Sequence, residues 1–157
     1  MATQPQRAYV ALGSNLGERE SHLAYAVERL AHLSGTRLVA VSRIEETDPL
    51  GPVAQGPYLN QMVLLETTLE PAELLRACLA IETERGRVRG ERWGPLTLDL
   101  DLVRYDDRVV HEAGLTLPHP ELPNRDFWGR ELAELEAAGS ELRRNGQRTT
   151  AIGRRSR

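Results

Sequence analysis

The sequence predicts an α+β fold, with one antiparallel sheet, two helices on one of its faces, and a C-terminal extension. Three observations carry this. Short apolar or alternating runs of strand length occur at 7–12, 36–44, 58–67 and 96–105. Segments with apolar residues at helical spacing separate the first run from the second and the third from the fourth. Glycine- and proline-bearing stretches bound the runs.

Each element follows from its residues. Arg7–Leu12 (RAYVAL) is apolar and stops at Gly13, as a first strand does. GSNLGERE makes a glycine-bearing turn. Leu23, Val27, Leu30 and Leu33 then line one face of a helix from about Glu18 to Leu33, ended by Gly35. Thr36–Ile44 alternates and is rich in β-branched residues, predicting a second strand. Glu45–Pro57 holds three prolines and two glycines and is expected to be irregular. Tyr58–Thr67 predicts a third strand. Pro71 opens a second helix at its first turn, with Leu74, Leu75, Cys78, Leu79 and Ile81 giving an apolar face, fading near Arg85–Gly86. Gly86–Pro95 is a second irregular segment, rich in arginine. Leu96–Tyr105 alternates strictly and predicts a fourth strand. Val109–Val110 adds a short edge strand, Leu117–Arg125 a proline-rich loop, and Asp126–Ala138 a last helix. The order β-α-β-β-α-β is the split βαβ pattern of ferredoxin-like folds.

The 157 residues form one domain over 1–139, followed by a basic, mobile tail over 140–157. That tail carries six arginines and one glutamate, a net +5; the whole chain is −3, so the body carries −8. An acidic body argues against a nucleic-acid binder. No run approaches the roughly 20 apolar residues of a membrane span, and MATQPQR has no apolar signal core. A cytoplasmic monomer with small-molecule partners is expected, with neither nucleic acid nor membrane among them. The lone Cys78 excludes an internal disulfide and a cysteine-cluster zinc site. All 20 basic residues are arginine, so any phosphate chemistry must use arginine, histidine, backbone N–H groups or metal.

The strongest chemical signal is Thr97-Leu98-Asp99-Leu100-Asp101-Leu102. Strand alternation puts the leucines on one face and Asp99 and Asp101 on the other, about 6.5–7 Å apart. Two carboxylates so placed repel each other, and a hard divalent cation removes that cost. Mg²⁺ needs only one or two carboxylates when phosphate oxygens complete its shell. The plain alternative is a solvated acidic face. Arg87, Arg89 and Arg92 stand beside Trp93, where guanidinium forks can hold phosphate and an indole can stack on a planar ring; a charged surface turn is the bland reading. His119, set between Pro118 and Pro120, can bind phosphate or move a proton, or can simply be a surface histidine. Gly13-Ser14-Asn15-Leu16-Gly17 resembles a phosphate loop only loosely.

Together these segments resemble the 6-hydroxymethyl-7,8-dihydropterin pyrophosphokinases of the folate pathway. The resemblance runs from Ala8 to Phe127 through ALGSNLG (11–17), TDPLGP (47–52), YLN (58–60), GRVR (86–89), RWGPLTLDLDL (92–102) and LPHPELPNRDF (117–127). It implies an ATP-dependent kinase that moves the β,γ-diphosphate of ATP to a pterin hydroxymethyl oxygen and releases AMP. By the same similarity Asp99 and Asp101 hold two Mg²⁺ ions. Thr47, Leu50, Tyr58 and Asn60 form the pterin pocket, with Trp93 and Phe127 as stacking walls. Glu82, Arg89, Arg92, Thr116, His119 and Arg125 hold ATP, Arg87 enters on loop closure, and Arg87 and Arg92 join Asp99 and Asp101 as the catalytic residues. Leu96 stands where the family commonly has arginine. A non-catalytic ligand-binding module would keep the sheet and the helices. It does not explain the joint presence of two aspartates, an arginine segment, Trp93 and Asn60. An RNA-binding βαββαβ domain is disfavoured by the acidic body and by strands without aromatic pairs.

Overall fold

A computed structural model describes residues 4–48, 56–86 and 98–155, with side chains through 145. Strand β1 is Gln6–Ser14, helix α1 Arg19–Ala31, β2 Thr36–Val41, β3 Glu45–Thr47, β4 Tyr58–Thr67, and α2 Pro71–Glu84. They are followed by β5 Asp99–Tyr105, β6 Val110–Glu112, β7 Leu115–Leu117, a single 3₁₀ turn at Leu122–Asn124, and α3 Asp126–Arg155.

The sheet runs β2-β4-β1-β5, with β3 added on β4 and every pairing antiparallel. β1 and β4 are paired from Gln6↔Thr67 to Ser14↔Leu59. Both strands are buried along nearly their whole length. A strand covered on both faces reads as a continuous apolar run rather than an alternating one, and RAYVAL and MVLL are such runs.

The two faces have separate cores. On one, Ala8, Val10, Leu12, Val63, Leu65, Leu100 and Leu102 pack against Leu23, Ala26 and Leu30 of α1 and Leu74, Cys78 and Ile81 of α2. On the other, Tyr9, Ala11, Met62, Leu64 and Val103 pack against Trp128, Leu132 and Leu135 of α3. The expected pair of helices on one face is therefore joined by a third helix on the opposite face. Cys78 is a core residue, and burial pushes its thiol up to about 12.

Three expectations are corrected. Glu45–Thr47 is a strand, not an irregular segment, because it precedes the first proline and pairs with Tyr58–Asn60. The second strand ends at Val41, and its alternation breaks at a bulge between Leu38 and Ala40. The last helix does not stop at Ala138 but continues to Arg155. No proline interrupts it, and its five arginines between 139 and 155 are compatible with helix. The packed part nevertheless ends at Gly139, where the carbonyl accepts from Arg7 Nη2 at 3.5 Å and an added Cβ would run into that guanidinium. From Ser140 to Asn145 the side chains are exposed. Val110–Glu112, expected as an edge strand at 109–110, forms a hairpin with Leu115–Leu117 instead of extending the main sheet.

Candidate active site

The antiparallel register aligns residues of the α3-side face in rows across β4, β1 and β5. One row is Asn60, Gly13 and Asp99; the next is Met62, Ala11 and Asp101. Leu98, Leu100 and Leu102 are buried on the opposite face, so the alternation of this strand is as its sequence predicts. Strands lie about 4.8 Å apart, so Asn60 and Asp99 flank a gap of about 10 Å floored by Gly13. An added Cβ at Gly13 would meet Asn60 Oδ1 at 3.6 Å and Tyr58 Cδ1 at 3.7 Å. A small residue there keeps the floor low.

β3 completes the Asn60 side. Glu45 pairs with Asn60 and Thr47 with Tyr58. Asn60 Nδ2 donates to Thr47 Oγ1 at 2.7 Å and to Glu45 O at 3.4 Å. These bonds fix which way the amide points, with the nitrogen toward β3 and the oxygen toward Gly13. Thr47, Tyr58 and Asn60, foreseen as one pocket, are thus together.

The acidic side is built by β5 and the segment after β7. The His119 backbone N–H donates to Val103 O at 2.8 Å, docking that segment on the free edge of β5. His119 Nδ1 accepts from the Glu121 N–H at 3.0 Å. The neutral ring therefore carries its proton on Nε2, which lies 3.6 Å from Asp101 Oδ1. Arg125 Nη1 lies 3.9 Å from Asp101 Oδ2. The Arg125 guanidinium sits 4.4 Å over the Trp128 ring, and His119 meets the same ring edge-on at 4.9 Å. A buried indole thus orients both groups toward one carboxylate. A cavity of about 230 Å³ opens beside them, lined by Leu100, Asp101, Leu102, Leu115, Thr116 and His119 among others.

Glu82 is placed differently from the other expected ATP contacts. It is buried on α2, and its Oε2 accepts the Leu100 N–H at 2.7 Å. It braces the free edge of β5 between Asp99 and Asp101. Phe127 is half-buried at the start of α3, with its ring 6.4 Å from Trp128. Leu50, Arg87, Arg89, Arg92, Trp93 and Leu96 lie outside the described residues.

Two residues of consequence escape sequence reasoning. Trp128 adjoins Phe127 in the chain, but its role as a platform depends on a contact with the His119 segment that no spacing encodes. Glu131 is buried on the inward side of α3, and among the described residues neither carboxylate oxygen has a hydrogen-bond partner. Burial, reinforced by the charge of Glu45, pushes its carboxyl up to about 8. Nothing in the ELAELE run distinguishes it from the exposed Glu134.

The donor set fits divalent cations held jointly with a phosphate chain. Asp99 and Asp101 share a face, while no cluster of three or more histidine, cysteine or acidic side chains able to hold a metal occurs among the described residues. Two carboxylates with phosphate oxygens suit Mg²⁺.

Comparison with known proteins shows the family. Residues 9–137 match the family model described as 7,8-dihydro-6-hydroxymethylpterin-pyrophosphokinase. The chain is 45% identical over 130 residues to the 2-amino-4-hydroxy-6-hydroxymethyldihydropteridine pyrophosphokinase of Pseudomonas aeruginosa, covering 83% of this chain and 80% of the relative. It is 41% identical over 147 residues to the Bacillus subtilis protein of the same name, covering 90% and 88%. The Haemophilus influenzae protein of that name is 43% identical over 120 residues, covering 76% and 75%. The matched span contains both the Asn60 pocket and the Asp99–Asp101 pair, and the chain belongs to the 7,8-dihydro-6-hydroxymethylpterin-pyrophosphokinase family.

Proposed function

We propose that the chain transfers the β,γ-diphosphate of ATP to the hydroxymethyl oxygen of 6-hydroxymethyl-7,8-dihydropterin, releasing AMP, as a step of folate biosynthesis. The observation that carries this is the row Asn60–Gly13–Asp99, which sets an oriented amide opposite an acidic, phosphate-compatible cluster on one face of the sheet.

The chain's own groups divide the work. Asn60, held by Thr47, presents a fixed amide edge to the pterin, with Tyr58 beside it and Phe127 and Trp93 as stacking walls. Leu50 closes the same pocket. Arg125 and His119 bind phosphate oxygens from the Trp128 platform, and Thr116 lines the adjoining nucleotide cavity. Glu82 keeps β5 in place under the phosphates. Arg87, Arg89 and Arg92 add guanidinium groups to the triphosphate as the site closes. Asp99 and Asp101 would hold two Mg²⁺ ions, which supply charge neutralisation and Lewis acidity to the triphosphate when bound. Transfer then rests on positioning and on countering charge, and arginine and metal suffice for both without any lysine.

The strand path β2-β4-β1-β5 supports a ferredoxin-like reading of the sheet. We also propose a cytoplasmic monomer. Among the described residues no helix is long and apolar enough to cross a membrane. Residues 140–157 form a basic extension dispensable for the reaction.

Asp101→Ala tests the assignment. It is expected to lose nearly all turnover at saturating Mg²⁺ while calorimetry still detects pterin binding in the presence of an unreactive ATP analogue. Near-normal turnover would remove Asp101 from the reaction.

A further inference from the structure

Asn15, in the turn between β1 and α1, and Arg19, which opens α1, are not among the pocket residues just described, yet both reach across to the residues before β4, and Arg19 also to β3. Asn15 is buried, and its Nδ2 donates to Gly56 O at 3.1 Å. Arg19 Nη1 donates to Pro57 O at 2.8 Å and pairs with Glu46 Oε2 at 3.1 Å. Gly56 and Pro57 precede β4, ahead of the first ladder pair at Tyr58↔Thr47. Two consecutive carbonyls outside any strand ladder are therefore satisfied from one distant segment. Glu46 lies in β3, next to Thr47. The same segment thus grips both strands whose pairing puts Thr47 Oγ1 on Asn60.

We infer that Asn15 and Arg19 are positioning residues for the pterin: they act through Gly56, Pro57 and Glu46 to hold β3 and the start of β4 in the arrangement that orients Asn60. This rests on the pterin pocket proposed above. Without the clamp, the pocket is assembled in a smaller fraction of molecules, and apparent pterin affinity falls by that fraction. The acidic side, built by β5 and the His119 segment, does not depend on these contacts. ATP binding is therefore spared.

The test is steady-state kinetics on the full chain with both substrates varied. Asn15→Ala is expected to raise the pterin KM about tenfold, the size of one lost hydrogen bond, with kcat and the ATP KM within about twofold. Asn15→Asp, which keeps the size and loses the donor, is expected to behave alike. Combining Asn15→Ala with Asn60→Ala should cost less than the product of the single effects, because both remove the same orienting contact. If Asn15→Ala does not fold, Arg19→Met carries the same comparison from a partly exposed position while keeping the apolar stem. An unchanged pterin KM in Asn15→Ala or Arg19→Met, or an equal rise for both substrates, overturns the clamp provided Asn60→Ala itself weakens pterin binding. If Asn60→Ala leaves pterin binding intact, the pocket assignment falls first and the clamp with it.

Discussion

Replacing Glu131 by glutamine isolates the energetic consequence of one buried acid. The side chain lies on the buried side of α3 with both carboxylate oxygens unpartnered among the described residues, and its carboxyl is pushed up from 4.5 to about 8 by burial first and by Glu45 second. The charged groups facing it are Glu45 on β3 and Arg130 and Glu134 on α3. Arg130 Nη2 is drawn to Glu45 at 2.8 Å, and Glu134 is engaged by Arg43. In the unfolded chain Glu131 loses its proton above about 4.5, whereas in the folded chain it keeps that proton to about 8. The folded state therefore binds more protons across this window, and stability falls as pH rises through it. At pH 7 the penalty is about 3 kcal/mol, from about 1.4 kcal/mol for each of the 2.5 pH units above the unfolded value. Glutamine is neutral at every pH and close in shape. Glu131→Gln should match the parent near pH 4, exceed it by about 3 kcal/mol at pH 7, and melt roughly 9 °C higher there. Urea unfolding at half-unit steps from pH 4 to 8.5 measures this directly. A stability difference that stays constant across the range would show that Glu131 is not held protonated and would refute the reasoning.

Other consequences follow from the same structure. An unreactive MgATP analogue is expected to raise pterin affinity, and by linkage pterin must raise analogue affinity equally; calorimetry giving the same pterin dissociation constant with and without the analogue would refute this. Truncation after Gly139 should leave melting temperature and turnover near those of the full chain, because the described side chains beyond it are exposed and Leu142 is itself 48% exposed; a fall of more than a few degrees would show that the tail packs. Gly35 sits at φ +62, and a Cβ there would meet Thr68 Oγ1; Gly35→Ala should cost at least about 1–2 kcal/mol by thermal unfolding, and an unchanged melting temperature would contradict it. Leu96→Arg is expected to alter ATP kinetics more than stability, and a destabilised protein with unchanged kinetics per folded molecule would place Leu96 in the core.

Legibility in the sequence tracked the length and strictness of each pattern. The Leu–Asp alternation of 98–102 specified its two faces because a strand has a period of two, and the leucines are buried on the face expected. The amphipathic spacing of α1 and α2 specified their buried faces in the same way, except that Leu79, expected inward, is 50% exposed because it falls at the rim of the face that Leu74, Cys78 and Ile81 bury. Glu45–Thr47 was not legible because three residues carry no period, and the prolines that follow masked it. The full length of α3 was hidden because its second half is polar all round, which reads equally as coil. The Trp128 platform under His119 and Arg125, the Glu82 brace on Leu100 and the Asn15–Gly56 clamp are tertiary contacts between distant segments. Each joins residues whose individual types are ordinary, so only the fold brings their chemistry together.

The central claim is that this site moves a diphosphate unit as one group. The most direct measurement is product analysis after incubating the full chain with ATP, Mg²⁺ and 6-hydroxymethyl-7,8-dihydropterin, resolving AMP from ADP and weighing the pterin product. The account predicts AMP and pterin diphosphate in equal amounts, with both lost together in Asp101→Ala. ADP with a pterin monophosphate, or equal AMP formation when pterin is omitted, would contradict it.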